Sequence, residues 1–234
     1  RRADLDALLD ARDAAERARA MIDLTVVSVL LDAGAGPDWC YREGERSFTR
    51  SEGLAVASFH AFTAGLFSAD PADPLRVDAA GLRALSTARL ATAFQVDATN
   101  PLVGLDGRVH LLHRLADAGR PGALFDALAG TEVRAHDILS YLLASLSGIW
   151  PAANTIGGIP LGDCWPHRAV SGPGLTDGWM PLHKLSQWLT YSLLEPFEWA
   201  GVAVTGLGEL TGLPEYRNGG LLLDTGVLLL RDPR

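Results

Sequence analysis

Apolar residues recur at helical spacing in several parts of the chain, and this periodicity restricts the fold more than any other feature. The pattern is clearest in three segments, 22–30, 138–146 and 182–193. Glycine and proline follow the first two segments, where they favour the end of a helix. The sequence therefore predicts a mainly α, multi-helix globular fold. A few short strands are expected around 39–49 and 156–161, and the β-branched residues of 24–29 also allow a strand.

Local signals predict where individual helices begin. Asp78 has the side chain of an N-cap residue and precedes a helical repeat of leucines. Asn100 and Pro101 stand in the order that favours an N-cap followed by a first turn. Pro181 is predicted to open the clearest amphipathic helix, and Pro196 to end or kink it.

The composition is that of an ordinary globular protein. The 234 residues are 48% hydrophobic and 21% charged, which is enough to build one sizeable core. We predict a single catalytic domain over residues 1–234, built as two closely packed helical lobes. The sequence starts at Arg1-Arg2 and stops shortly after Leu230, and both ends are interpreted as cuts through a longer protein.

Charge and cysteine content restrict the partners and the compartment. A formal charge of -8 repels phosphate backbones, so we expect no nucleic-acid partner. Two cysteines far apart in sequence favour free thiols in a reducing compartment, which predicts a cytoplasmic protein. The apolar stretch 221–230 is interrupted by Asp224 and is too short to span a bilayer, so no membrane partner is expected.

A polar stripe lies opposite the leucines of the helix predicted from Pro181. Lys184, Gln187 and Tyr191 follow at i, i+3 and i+7, and His183 lies beside Gln187. This combination suits a pocket that holds an anion and hydrogen-bonds a polar ligand. A half-buried packing face explains the same pattern equally well.

The segment 213–220 is a second candidate site. Glu215 stands in a first helical turn, where the helix dipole keeps a carboxylate ionised. Arg217 can pair with a phosphate or a carboxylate. Gly219 and Gly220 would let the backbone approach a ligand closely. On spacing alone, an ordinary helix start with complementary charges is the more frequent explanation.

An aromatic loop is the third candidate. Asp38, Trp39 and Tyr41 lie in a loop rich in glycine and proline, where an aromatic ring can stack on a planar group. The commoner arrangement is an aromatic ring that caps the core from outside. Asp32 precedes the loop and is placed to orient it.

Metal and cofactor motifs are weak or missing in the sequence. His110 and His113 are an i, i+3 pair, but no third ligand follows at a characteristic spacing. The sequence has no HExxH, CxxC, Walker, GxGxxG or G-x-S-x-G motif. We therefore predict a metal-independent protein without a cofactor.

Four long runs, 22–39, 50–54, 183–193 and 210–220, resemble the fungal and bacterial URC-type uracil catabolism proteins, the fourth component of that pathway. The resemblance covers nearly the whole chain, and members of that family extend beyond both of its ends. It implies hydrolysis of the N-glycosidic bond between ribose and urea in ribosylurea or its 5′-phosphate.

A more distant resemblance suggests a mechanism. An aromatic loop, then a Lys-x-x-Gln helix, then an acidic-Tyr-Arg turn is similar to the queuosine-nucleotide N-glycosylases of queuine salvage. Those helical proteins are related in fold to the helix-hairpin-helix DNA glycosylases. The resemblance implies that Lys184, Glu215 and Arg217 are functional residues. This chain has Glu215 where that family has an aspartate, so direct attack on the sugar and activation of water both remain open.

Together the resemblances and the residues assign provisional roles. Glu215 is the predicted catalytic carboxylate near C1′, and Asp38 is predicted to assist departure of the urea. A small ribosyl substrate, with or without its phosphate, would be bound by Trp39, Glu52, His183, Lys184, Gln187, Arg217 and Asn218.

Two other functions are compatible with the sequence. The first is a metal-assisted amide or ring-opening hydrolase, which the scarcity of ligand clusters disfavours. The second is a non-catalytic binding subunit that channels pathway intermediates. A true DNA glycosylase agrees with the distant fold relation but not with the negative charge.

Overall fold

A computed structural model describes residues 1–213 and 216–231, with only the backbone of Tyr216 and Arg217. The helices of these residues are α1 Arg2–Leu8, α2 Ala14–Leu31, α3 Arg50–Thr63, α4 Ala79–Arg83, α5 Thr87–Ala93, α6 Leu105–Ala118, α7 Ala123–Leu128, α8 Ala135–Leu146, α9 Lys184–Trp199 and α10 Tyr216–Asp224. The strands are β1 Cys40–Glu43, β2 Arg46–Thr49, β3 Glu132–Arg134, β4 Thr155–Ile156, β5 Ile159–Pro160, β6 Cys164–Pro166, β7 Trp179–Pro181 and β8 Ala203–Thr205.

Helix α2 lies at the centre of the fold. It packs against α3, α6, α7 and α9, and α8 packs on the other side of α9. One hydrophobic core cluster extends across these contacts from Leu5 to Val202. The mainly α class is therefore confirmed, and the segment 24–29 lies within α2 rather than in a strand.

The strands form short two-stranded pairs. Hairpins β1–β2 and β4–β5 are antiparallel and confirm the strands predicted around 39–49 and 156–161. Two further pairs were not predicted, antiparallel β6–β7 and parallel β3–β8. Parallel β3 and β8 join segments far apart in sequence, and local patterns do not encode such a pairing. Among the described residues, no helix is both long enough and apolar enough to cross a membrane.

Of two helix starts predicted from capping residues, one is confirmed and one is wrong. Asp78 caps α4 as expected, since its side chain accepts a hydrogen bond from the Gly81 amide at 2.8 Å. Asn100 and Pro101 do not begin α6, whose N-cap is Gly104. The Asn100 side chain is engaged elsewhere, because it hydrogen-bonds both the amide and the carbonyl of Cys40 at 2.9 Å.

The start of α9 also lies later than predicted. Pro181 belongs to β7, and the helix begins at Lys184 after His183, which has a φ of 46°. Pro196 lies inside α9, and the helix continues to Trp199. The apolar repeat predicted for α9 is confirmed. Pro181, which was predicted to open the helix, is instead the last residue of β7.

A buried carboxylate joins three parts of the fold. Asp23, in the middle of α2, is fully buried. It accepts hydrogen bonds from the Val77 amide at 3.1 Å and the Gly122 amide at 2.7 Å, and it forms a 2.8 Å ion pair with Arg120. Burial raises the pKa of Asp23 to about 6, although Arg120 and the two amides act in the opposite direction. These bonds satisfy both carboxylate oxygens and fix α2 against its neighbours.

Candidate functional site

A cavity of about 920 Å³ opens where three segments converge, and we call it the α2–α9 pocket. Loop 32–37 after α2 forms one wall, the first turn of α3 another, and the first turns of α9 the third. Its polar and aromatic lining residues are Asp32, Arg50, Ser51, Asp163, Lys184 and Trp188. Leu213, just before the undescribed residues 214–215, also lines it. The pocket therefore joins segments far apart in sequence.

A buried arginine shapes the loop that lines this pocket. Arg108 on α6 is only 4% exposed, and it donates to the carbonyls of Leu31 and Ala33 at 3.0 Å. It also binds the carbonyl of Val103. Burial lowers the pKa of Arg108, while the nearby charge of Asp32 raises it. Arg108 thus satisfies the carbonyls that the end of α2 leaves unpaired.

The close approach of Val103 requires a glycine in the same loop. Gly36 has a φ of 87°, and a Cβ atom there would lie 2.7 Å from a methyl carbon of Val103. The amide of Val103 also donates to the Ala35 carbonyl at 3.1 Å. Arg108 and Val103 therefore both fix this loop, which forms one wall of the pocket.

Asp32 stands at the end of α2 and faces the pocket. The Ser51 hydroxyl donates to its carboxylate at 2.9 Å. Burial raises the pKa of Asp32, and the Ser51 hydrogen bond and the charge of Arg108 partly offset this effect. From the sequence, Asp32 was predicted only to orient the loop that follows it. Its position at a helix end beside a glycine loop was the available signal.

The opposite wall is positioned by Asp163. Its carboxylate accepts from the Lys184 amide at 3.0 Å and from the Trp165 indole at 2.8 Å. Its carbonyl accepts from the His183 amide at 2.9 Å. These bonds fix the first turn of α9, so the predicted anion-binding residue Lys184 lies in the α2–α9 pocket.

His183 does not share the cavity of Lys184. It lines a separate, smaller cavity beside Trp150 and Gly162. Burial lowers the pKa of the His183 imidazole, which favours its neutral form at pH 7. His183, which was predicted to bind the substrate together with Lys184, therefore faces a different cavity, because adjacent residues at a helix start point in different directions.

The other members of the polar stripe hold the chain that leads toward Glu215. Gln187 is buried, and its side chain accepts a hydrogen bond from the Thr211 hydroxyl at 2.5 Å. The Tyr191 hydroxyl donates to the Thr211 carbonyl at 3.1 Å. Both interactions attach the segment before Leu213 to α9. In this structure the Gln187 side chain positions Thr211, and its contact with a substrate stays a prediction.

Trp39 was misplaced by the sequence analysis. Its side chain is 1% exposed, its indole donates to the Phe94 carbonyl at 3.0 Å, and its ring stacks on Phe94. Gly53 lies against it so closely that a Cβ atom would be 2.8 Å from the indole. Trp39 is a core residue, and its ring is closed to a ligand because the hairpin and α3 cover it.

The remaining predicted residues do not line the α2–α9 pocket in the described part of the chain. Asp38 is exposed at the end of the glycine loop. Glu52 is exposed and lines a neighbouring groove of about 950 Å³. Asn218 is exposed on α10. Glu215 and the side chain of Arg217 lie outside the described residues.

Arg50 is a functional candidate that the sequence analysis did not identify. It lines the pocket at the start of α3 and has a φ of 54°. Left-handed backbone is costly for a residue with a side chain and is often retained at functional sites. Among the described lining residues, Arg50 and Lys184 are the cations, and Asp32 and Asp163 are the anions.

The histidine pair does not form a metal site with other residues of the described chain. Within residues 1–213 and 216–231, no cluster of three or more His, Cys, Asp or Glu side chains is suited to a metal ion. The rings of His110 and His113 are 6.5 Å apart, and His113 is hydrogen-bonded to the Leu85 carbonyl at 2.8 Å.

Comparison with known proteins identifies relatives over most of the chain. A family model described as "Protein of unknown function (DUF1688)" matches residues 1–234. Protein urg3 of Schizosaccharomyces pombe is 45% identical over 230 residues, covering 94% of this chain and 56% of that protein. Uracil catabolism protein 4 of Lachancea kluyveri is 43% identical over 249 residues, covering 94% of this chain and 57% of that protein.

The chain spans a little over half the length of these curated relatives. No solved structure matches it. The resemblance to queuosine-nucleotide N-glycosylases and the helix-hairpin-helix fold has no support from these comparisons and stays a prediction.

Proposed function

The chain belongs to the DUF1688 family, and from that premise we propose that it acts in uracil catabolism as an N-glycosidase. The proposed reaction is hydrolysis of the bond between ribose and urea in ribosylurea 5′-phosphate, without a metal ion. One of its relatives is named as a uracil catabolism protein. A role in the same pathway is therefore the simplest assignment for this chain.

The observation that carries the proposal is the convergence in the α2–α9 pocket. Lys184, which the sequence analysis chose as an anion-binding residue, lines the same cavity as Leu213. Glu215 follows two residues later in the chain. We propose that Glu215 acts on a substrate bound in this cavity. A cationic wall suits the phosphate of a ribosyl substrate, and a carboxylate suits its anomeric carbon.

The chemistry needs an anion close to the sugar. Cleavage at an anomeric carbon passes through a state with oxocarbenium character, which a nearby carboxylate stabilises. We assign that role to Glu215, which also accepts a proton from the attacking water. Trp188 lines the pocket and offers an apolar face for the planar urea group or the sugar ring.

The two cations of the lining suit a 5′-phosphate. Lys184 supplies a point charge from the α9 wall, and Arg50 supplies a guanidinium from the opposite wall. Arg50 takes the place that the sequence analysis gave to His183. Binding energy from the remote phosphate would position the reacting carbon. The local pair of cations also explains how a chain with a net charge of -8 binds an anion.

The direct test is turnover of ribosylurea 5′-phosphate by the purified chain, followed as release of ribose 5-phosphate and urea. We expect activity in the presence of a chelator. Glu215→Gln should lower kcat by about 100-fold or more, because the variant cannot carry the negative charge or take the proton.

Glu198→Gln is a matched control, since Glu198 is an exposed carboxylate of α9 remote from the pocket. It should retain activity. Absence of turnover by the unmodified chain, combined with tight binding of the substrate, would replace the glycosidase by a binding subunit. Loss of turnover on chelation would favour a metal-assisted hydrolase.

A further inference from the structure

We propose that Asp32 is the acid that protonates the departing urea nitrogen, with Arg108 and Ser51 as its positioning residues. This inference rests on the proposed function and deepens it. It gives Asp32 the role that the sequence analysis gave to Asp38. Asp32 lines the α2–α9 pocket, whereas Asp38 is exposed and is not part of its described lining.

The position of Asp32 disfavours its ionised form. It follows the last residue of α2, where the partial negative charge of the helix dipole repels a carboxylate. It is half-buried, and this burial raises its pKa. A carboxyl group in such a place retains its proton at higher pH than an exposed one, which is the property that a general acid needs.

The hydrogen bonding of Asp32 orients its carboxyl group toward the pocket, although it lowers the pKa and so partly offsets the effect of burial. Its Oδ1 accepts from the Ser51 hydroxyl at 2.9 Å, and Arg108 binds the carbonyls on both sides of it. The second carboxyl of the pocket, Asp163, is used differently. It is engaged by the Lys184 amide and the Trp165 indole, which fix the start of α9. The Asp163 carboxyl group is thus occupied by two donors. The Asp32 carboxyl group is held by the Ser51 hydroxyl and faces the pocket.

The proposed step balances as an ordinary hydrolysis. The proton of Asp32 moves to the urea nitrogen while the C1′–N bond breaks, and the bonding electrons stay on that nitrogen. A water oxygen bonds to C1′, and its proton moves to Glu215. Glu215 releases that proton to solvent, and Asp32 takes one up. The products are ribose 5-phosphate and urea. The two carboxyls then differ in protonation, as acid and base pairs in glycosidases do.

The experiment compares two leaving groups in Asp32→Asn. One substrate is ribosylurea 5′-phosphate, and the other is a ribosyl 5-phosphate carrying 4-nitrophenolate, which departs without a proton. We expect kcat on the urea substrate to fall by about 100-fold or more. On the nitrophenyl substrate we expect a loss of less than about 10-fold. Glu215→Gln should lose activity on both, because the charge near C1′ serves either substrate.

A second variant keeps the inference testable if Asp32→Asn folds poorly. Ser51→Ala removes a hydrogen bond that lowers the pKa of Asp32. The pKa of Asp32 should therefore rise further, and the acid should stay protonated to higher pH. The basic limb of the kcat profile should move to higher pH with the urea substrate only. A purely structural role of Ser51 would change kcat without moving that limb.

The failures of the two proposals are distinguishable. If the unmodified chain releases no urea from ribosylurea 5′-phosphate, the proposed function is wrong and Asp32 loses its role with it. If the unmodified chain is active but Asp32→Asn loses activity equally on both leaving groups, only the assignment of Asp32 is overturned. Asp38→Asn serves as the competing variant, since a selective loss there would transfer the acid role to Asp38.

Discussion

Asp23 and Asp32 lie on the same helix and differ in what surrounds them. Asp23 lies in the middle of α2, fully buried, with two amides and Arg120 bonded to its oxygens. Asp32 lies at the end of α2, half-buried beside an open cavity, and its carboxylate accepts a hydrogen bond from the Ser51 hydroxyl. Burial raises the pKa of both.

The two aspartates show that the burial of a carboxyl group and its access to a ligand are separate properties. A raised pKa alone does not mark a catalytic carboxyl, because desolvation acts in a structural site as well. Asp23 is fully buried and both of its oxygens are bonded to donors, so its charge serves to connect three segments. Asp32 has an open side toward the α2–α9 pocket, so it can reach a ligand. We therefore distinguish a structural carboxyl group in the middle of α2, Asp23, from a candidate functional one at its end, Asp32.

The largest expected effect is on stability, from the loss of the Asp23 carboxylate. Asp23→Ala should lower the free energy of unfolding at pH 7 by about 3 kcal/mol, because it leaves Arg120 and two buried amides without their acceptor. Denaturant unfolding followed by circular dichroism measures it. Asp32→Ala should cost less than about 1 kcal/mol. Equal losses at the two positions would remove the distinction.

A variant of Arg108 tests whether this residue holds the loop that follows α2 and carries Asp32. Arg108→Met keeps much of the buried volume but removes the donors to the Leu31 and Ala33 carbonyls. We expect a loss of about 2 kcal/mol in unfolding free energy, since buried carbonyls lose their partners. The loop should also loosen, so KM for the ribosyl substrate should rise.

Arg114→Met is the matched control on the same helix. Arg114 is more exposed, and it donates to the Trp150 carbonyl at 2.8 Å. It should cost less stability than Arg108→Met and leave KM unchanged. A KM that is unaffected by Arg108→Met would mean that the loop keeps its shape without the buried guanidinium.

The pH dependence of stability tests the raised pKa of Asp23. Its pKa is about 6 in the folded chain against 3.8 as the ordinary value, so the folded state binds more protons between these values. The stability contribution of Asp23 is complete below about pH 4 and declines as the pH rises through 6. The decline should be about 3 kcal/mol, since each pKa unit corresponds to about 1.4 kcal/mol.

Other carboxyls titrate in the same window, so the relevant quantity is the difference between the unmodified chain and Asp23→Ala. That difference should be larger at pH 4 than at pH 7. A difference that is constant with pH would show that Arg120 and the amides fully compensate for burial, and that the pKa of Asp23 is not raised.

Much of the fold follows from local sequence. The apolar repeats of α2, α8 and α9 were recognised because a buried helical face leaves a regular pattern. The exact starts of α6 and α9 were wrong, because Asn100 and Asp163 make their decisive bonds with distant segments. A short stretch of sequence around a helix start does not include the distant partner of such a bond.

The candidate site was only partly predictable for the same reason. Lys184 was chosen because it belongs to a polar stripe opposite the leucines of α9, and it lines the α2–α9 pocket. Trp39 was predicted to stack on a ligand because its loop is rich in glycine and proline. Its indole is buried in the core instead, where it donates a hydrogen bond to the distant Phe94 carbonyl. Arg108 lies on the apolar side of α6, beside Val109 and one turn before Leu112. An arginine on a buried face is a sequence signal that was available and not used.

The smallest expected effect concerns Arg50, where strain and charge can be separated. Arg50→Gln removes the charge and keeps a side chain at a φ of 54°. Arg50→Gly removes the charge and also tolerates that φ. Both should lower kcat/KM for ribosylurea 5′-phosphate by about 10-fold, or about 1.4 kcal/mol, while leaving the unphosphorylated substrate unchanged.

The two Arg50 variants should differ in stability, because only glycine relieves the left-handed backbone. We expect Arg50→Gly to unfold at a free energy about 1 kcal/mol higher than Arg50→Gln. If both variants lose activity equally on phosphorylated and unphosphorylated substrates, Arg50 does not contact the phosphate. If Arg50→Gly is no more stable than Arg50→Gln, the left-handed backbone at Arg50 stores no strain, and the charge of Arg50 alone accounts for its contribution to the pocket that Asp32 lines.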